Sequence, residues 1–311
     1  MNIGITEAIQ HFFSNPSFDL IYSEAVANAF DAGAKNINIK IRLDSFNEAN
    51  TLQLEIEDDG CGFTNKNFEK FSSLLKKSDN SHKGLGRLVY LQYFNNVLIE
   101  SVYDNKKKRI FTFNESFDGS NFTDEQLDEE KNNYTKLIFK NFSNQKLNTY
   151  SNVRAISIKE YLLSQFLPRL LSMKETGIRF TIQIETDVLE ENRDNQFYSD
   201  SVSITEADLP EMEEIIIKDT GLDLFDDELK MLYTVDEDYN GRVSTAICVD
   251  ERAIEIQILK NEKIPEKING IFLLQSDFFN SKVDDSRQEL LLNDYEKKLV
   301  EKIFLEKISE V

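Results

Sequence analysis

Two consecutive segments in which apolar and polar residues strictly alternate do most to constrain what this chain can fold into. Asn36–Leu43 reads NINIKIRL and residues 51–57 read TLQLEIE. Side chains of a strand point alternately to opposite faces, so each segment is expected to be a half-buried strand, with turn-like residues 47–50 between them. Ahead of the pair, Ile21, Ala25, Ala29 and Phe30 follow helical spacing over residues 21–32, and Gly33 is placed to stop that helix. Further strands are expected at 97–103, 109–114, 136–141 and 178–185. Helices are expected at 67–76, from Leu85 onward, and at 157–172. Residues 187–214 turn acidic and polar and read as a linker or domain edge. Strands at 214–218, 243–249, 254–259 and 268–274 then precede a closing helix at 294–308. The expected fold class is α+β twice over, with a larger first domain at 1–190 and a smaller second one at 191–311.

Composition narrows the function classes. The 311 residues carry 36 Lys and Arg against 56 Asp and Glu, a formal net charge of −20. A surface this acidic repels nucleic-acid backbones, whose nonspecific affinity comes from Lys and Arg displacing counterions, and it disfavours anionic membranes for the same reason. The same charge also serves plain solubility. Hydrophobic residues at 40% supply real cores and exclude a wholly disordered chain. Cys61 and Cys248 are the only cysteines, too few for a disulfide framework or a four-cysteine zinc site. The N-terminus lacks the basic and apolar regions of a signal peptide, and no run approaches the ~20 apolar residues that span a bilayer. A soluble cytoplasmic protein is expected.

Three segments carry the chemistry. In SEAVANAFDAGA (23–34), Glu24 and Asn28 stand four residues apart and share a helix face. A carboxylate there polarises a water and a carboxamide ligates a hard cation; the plain alternative is a solvated polar face. In EIEDDGCGF (55–63), Asp58 ends a strand, and Gly60 and Gly62 permit unusual φ and close approach to the backbone. An Asp in that place accepts a hydrogen bond from an amino group such as that of adenine; an acidic turn is the alternative. In SDNSHKGLGRLVYL (78–91), Gly84 and Gly86 lead into the helix expected from Leu85, whose free N–H groups suit phosphate oxygens, and Lys83 and Arg87 add positive charge.

In this order and spacing the segments resemble the GHKL superfamily, named for DNA gyrase, the ninety-kilodalton heat-shock chaperones, histidine kinases and MutL. Glu24-x-x-x-Asn28-Ala29 is similar to its first box, and the AFDAGA tail, with Asp31, is closest to MutL-type members. Asp58-x-Gly60-x-Gly62 is similar to the second box and Lys83-Gly84-Leu85-Gly86 to the third, although Ser81 stands where an earlier glycine is common. Thr135 before KLIF is the candidate for the fourth, with Tyr134 in place of its glycine. The resemblance covers residues 1–190 and implies a Bergerat α/β sandwich that binds ATP with magnesium under a lid at 64–83. It implies that Asn28 ligates the Mg2+, that Asp58 contacts the adenine amino group, and that Gly60 and Gly62 shape the base pocket. Gly84, Leu85 and Gly86 would hold phosphates, with Lys83, Arg87, Asp31 and Thr135 counted among the nucleotide contacts. Glu24 would orient or deprotonate the attacking water. His11 reads as packing and His82 as an exposed residue of the lid.

GHKL proteins often continue into a smaller β-α-β transducer domain that returns one basic residue to the γ-phosphate. Here VDDSRQE (283–289) resembles the catalytic loop of the heat-shock chaperone middle domain, which makes Arg287 the candidate and Lys282 the second choice; a surface Arg opening the last helix is the plain alternative. The implied function is a slow ATPase whose lid closure drives conformational change or homodimerisation, as a chaperone-like or bacterial defence-associated protein with a protein partner or client. A MutL- or topoisomerase-like DNA clamp is favoured by AFDAGA and opposed by the net charge. A nucleotide-sensing module that barely hydrolyses ATP is the third reading.

Overall fold

The computed structural model describes residues 16–45, 48–73, 85–143, 150–189, 199–218, 228–237, 241–259, 267–284 and 289–311. The chain divides into two compact units, one of Met1–Leu163 with Gly177–Ala207, the other of Ser164–Thr176 with Asp208–Val311.

The first unit is built on an eight-stranded mixed sheet. Its strands are β1 (Asn36–Leu43), β2 (Gln53–Asp58), β3 (Phe94–Tyr103), β4 (Lys107–Phe113), β5 (Phe122–Gln126), β6 (Tyr134–Phe142), β7 (Thr181–Val188) and β8 (Asp200–Ile204), in the order β5-β4-β3-β6-β2-β1-β7-β8. β1 and β7 run parallel, and the other neighbours are antiparallel. The alternation read in the sequence sets the faces. Ile37, Ile39, Ile41 and Leu43 of β1 and Leu54 and Ile56 of β2 are buried, while the residues between them are half-buried or exposed. Each such side chain contributes roughly 1.5–3 kcal/mol relative to exposure. On the other face, Lys40–Glu185, Lys136–Glu55 and Lys108–Glu100 pair across neighbouring strands at 3.5, 2.7 and 3.1 Å. Such exposed pairs add little stability, but a one-residue slip would break them and expose the core face.

Helix α1 (Leu20–Asp31) buries Ile21, Tyr22, Ala25, Val26, Ala29 and Phe30. It stops where Gly33 adopts φ +79°, with Gly33 N–H donating to Phe30 O and Ala34 N–H to Ala29 O. This paired closure captures two carbonyls that the helix end would otherwise leave unbonded. Helix α2 (Asn65–Ser72) is capped by Thr64, whose hydroxyl accepts from Asn67 N–H at 3.2 Å. The helix expected from Leu85 is shorter than the pattern implied. A 3-10 turn at Gly86–Val89 runs into the single turn α3 (Tyr90–Tyr93), and Phe94 at once begins β3. Three strands escaped the sequence pattern: β5, exposed throughout; β8, inside the supposed linker; and β10 of the second unit.

The second unit carries a five-stranded sheet of β9 (Glu213–Ile217), β10 (Leu229–Glu237), β11 (Val243–Val249), β12 (Arg252–Glu255) and β13 (Ile268–Gln275), ordered β12-β11-β13-β10-β9. Its core joins Met231, Ile247, Leu274 and Phe279 with Val300, Ile303 and Phe304 of helix α5 (Asp294–Glu310). Helix α4 (Ala155–Glu175) begins in the first unit and continues into the second. Among the described residues no helix is long and apolar enough to cross a membrane.

Candidate functional site

Alternation places Asp58 on the same face of β2 as Leu54 and Ile56, the face turned to the core. The strand order then supplies its neighbours. Asp58 pairs in register with Thr135 of β6, and Thr135 with Ser101 of β3. Thr135 and Ser101 are both buried, with their hydroxyls 3.4 Å apart. Polar side chains thus line up across neighbouring strands, from Asp58 through Thr135 and Ser101 to Arg109 of β4. Burial, helped by the nearby Asp59 and Glu57 charges and opposed by Gly60 N–H donating to Oδ1 at 2.9 Å, pushes the Asp58 carboxyl up to about 7. A half-buried carboxylate with one backbone donor is suited to receive a further N–H donor.

The two glycines are required by contact. A Cβ on Gly60 would lie 2.8 Å from both the Ala32 Cβ and Asp58 Oδ1. Gly62 adopts φ +75°, and a Cβ there would strike the Val102 carbonyl and lie 2.7 Å from Ser101 Oγ. Cys61 N–H donates to Ala32 O at 2.9 Å, which ties this loop to the end of α1. Asp59 reinforces the tie: its carboxylate accepts from the Lys35 and Asn36 N–H groups at 2.7 and 2.9 Å and from the Asn36 carboxamide at 2.6 Å. These bonds hold its carboxyl below the usual range in spite of some burial.

The third segment meets the other end of the same helix. Gly86 abuts Glu24 so closely that a Cβ would fall inside its carboxylate. Asn28 is exposed, and its Nδ2 donates to the Tyr90 hydroxyl at 3.4 Å, which leaves Oδ1 for a hard cation. Asp31 is exposed in the last turn of α1, and Leu85 is half-buried ahead of the 3-10 turn. Arg87 is half-buried. Its guanidinium end is buried, lies 4.0 Å from the Phe71 ring centre and donates to Phe71 O at 2.7 Å. Burial pulls it down to about 10, against the pull of Tyr90 and Glu24. Lys83, Gly84 and the rest of the third segment before Leu85 lie outside the described residues, as do His11, His82 and Arg287.

The structure therefore gathers all three segments around α1: Gly86 against Glu24, Tyr90 against Asn28, and Gly60 and Cys61 against Ala32. Residues 17–149 match the family model described as histidine kinase-, DNA gyrase B-, and HSP90-like ATPase. They form a GHKL-type ATPase domain. The fold of the chain is also similar to a solved N-terminal domain of a DNA repair protein, at 15% identity and a TM-score of 0.59, covering 97% of this chain and 96% of that one. No curated protein matches the chain. The glycine cradle at Gly60 and Gly62, the acceptor Asp58 and the outward-facing Asn28 fit the ATP that goes with the GHKL family. Among the described residues no three His, Cys, Asp or Glu cluster as a metal site.

Two contributors carried no motif. Ser101 accepts from Phe63 N–H at 2.8 Å and donates to Tyr134 O at 2.9 Å. Arg109 is buried behind the same loop and shares the inward face of β4 with Phe111 and Phe113. That period of two in KKKRIFTF was its only signal. In the second unit, Lys282 is held by Glu296 at 2.7 Å, and Glu296 also accepts from Asn293 N–H in the capping box that opens α5.

Proposed function

We propose that the chain binds ATP in the pocket bounded by Asp58, Gly60, Gly62 and Thr135 and hydrolyses it slowly to drive a conformational change. The observation that carries this reading is the convergence of Glu24, Asn28 and Ala32 of one helix on Gly86, Tyr90 and Gly60, respectively. Asp58 receives the adenine amino group, and Thr135 and Ser101 continue the polar row across the sheet. Asn28 offers its carboxamide oxygen to magnesium, which supplies charge neutralisation on the phosphates when bound. Leu85 and Gly86, with Gly84 and Lys83 before them, hold phosphate oxygens. Glu24 takes the proton of the water that attacks the γ-phosphorus, a role in which positioning and charge stabilisation dominate. Residues 64–83 serve as the lid, and its closure over ATP favours a homodimer because ATP binds the closed state more tightly. The second unit acts as the transducer, with Arg287 or Lys282 as the charge-neutralising residue; Lys282 must first leave Glu296.

The net charge of −20 favours a protein partner or client over DNA, in a chaperone-like or defence-associated role. The similarity to a DNA repair protein, at 15% identity, bears on fold alone. Steady-state ATPase and nucleotide-binding measurements on wild type and Glu24→Ala test the reading. The variant is expected to keep affinity and lose turnover. Wild type that binds ATP without turnover above the variant leaves the nucleotide sensor in its place.

A further inference from the structure

The loop that follows Gly62 is gripped from both sides. Phe63 N–H donates to Ser101 Oγ at 2.8 Å, and Phe63 O accepts from Arg109 Nη1 at 3.2 Å. Arg109 also reaches Thr64 O at 3.5 Å and Asn65 Oδ1 at 2.8 Å, so one guanidinium holds three consecutive residues and the start of α2. It is 3% exposed, lies 4.6 Å from the Phe68 ring centre and 5.1 Å from those of Tyr103 and Phe122, and donates to the Tyr103 hydroxyl at 3.2 Å. Its charge is balanced by Asp124 of β5, which accepts at both oxygens at 2.7 Å. A guanidinium this deep is costly to bury unless its fork is fully matched, and a lysine ammonium cannot reproduce that fork.

We propose that Arg109, oriented by Asp124, is a positioning residue that sets the base selectivity of the nucleotide site. This rests on the reading of Asp58 as the adenine acceptor. Arg109 touches no part of that acceptor; it acts through the backbone. Phe63 follows Gly62 directly, so any shift of the Phe63 peptide moves the glycines that shape the base pocket. Asn28 stands on α1 and Gly86 packs against Glu24 of that helix, and Arg109 makes no direct bond to either. Loosening the loop therefore weakens recognition of the base and spares recognition of the phosphates. Selectivity is sensitive to this because discrimination depends on leaving the wrong base with unpaired polar groups, which a displaced loop no longer enforces.

The test compares ATP and GTP affinities, by competition against a fluorescent ATP analogue, for wild type, Arg109→Lys and Asp124→Asn, with thermal melting of each. Both variants are expected to weaken ATP at least about tenfold and GTP much less, so that the ATP-to-GTP ratio falls. Equal weakening of both nucleotides, or a lower melting temperature at an unchanged ratio, overturns the proposal in favour of a purely structural Arg109. Asp124 is half-exposed at the sheet edge, so Asp124→Asn decides the matter if Arg109→Lys does not fold. Failure of wild type itself to bind ATP defeats the nucleotide-site reading, an outcome distinct from either.

Discussion

Gly86 packs so tightly against Glu24 that a single methyl group on the glycine would occupy the space of the Glu24 carboxylate. The two residues are far apart in sequence, and the missing side chain at 86 leaves the space in which the Glu24 carboxylate stands.

Gly86→Ala should therefore act as a displacement of Glu24. General-base catalysis is worth about 10²–10⁴-fold, and the loss of turnover should fall in that range while nucleotide affinity changes less. Single-turnover hydrolysis beside equilibrium binding separates the two. Undiminished turnover in Gly86→Ala would remove Glu24 from the base role.

Asp58 makes nucleotide affinity depend on pH. Its carboxyl is raised to about 7, and the ionised form accepts the adenine amino group more strongly than the neutral acid does, so ATP affinity should weaken as pH falls below 7 and level off above it. Asp58→Asn should lose binding at every pH. A flat affinity profile between pH 5.5 and 8 in wild type would contradict the assignment.

The same group has the opposite effect on stability. Its folded pKa lies above the ordinary value of 3.8, so the folded state holds the extra proton between that value and about 7. Stability should decline as pH rises through this window, and Asp58→Asn should remove that part of the decline. Chemical denaturation at pH 5 and pH 8 measures both slopes.

Gly62→Ala combines a positive φ with a clash against the Val102 carbonyl. The conformation alone costs about 1–2 kcal/mol, and the clash adds to it. The variant should melt several degrees lower and bind ATP more weakly, as followed by calorimetry and titration.

Asn293→Ala removes the side chain that accepts from Tyr295 and Glu296 N–H at the start of α5. The loss should be about 1 kcal/mol, read by denaturation of the whole chain. Glu296 is held below its ordinary range by the hydrogen bond from Lys282 and by the Asn293 N–H. Its contribution is present above that range and should fade as acid protonates it, so wild type and Glu296→Gln should converge in stability at low pH.

The features legible in the residues alone are local ones. Helical period put Glu24 and Asn28 on one face, Gly33 ended α1, and the alternation that runs from Leu54 through Ile56 carried Asp58 onto the core side of β2. These follow from backbone geometry within a few residues, so the α+β class and the candidate site were legible together. Features that depend on non-local register and desolvation emerge only in the folded chain. Thr135 and Ser101 join Asp58 only because β6 inserts between β2 and β3. Arg87, which sequence placed among the phosphate contacts, is turned under Phe71, and Arg109 becomes a buried anchor while its neighbours Lys107 and Lys108 face outward to Asp104 and Glu100. β5 forms although all its residues are exposed, because pairing with β4 and the Arg109–Asp124 ion pair replace the apolar face a pattern would have revealed. A cationic side chain buried in matched acceptors and one in water look the same in sequence; which of them a residue becomes is set by the partners the fold brings to it.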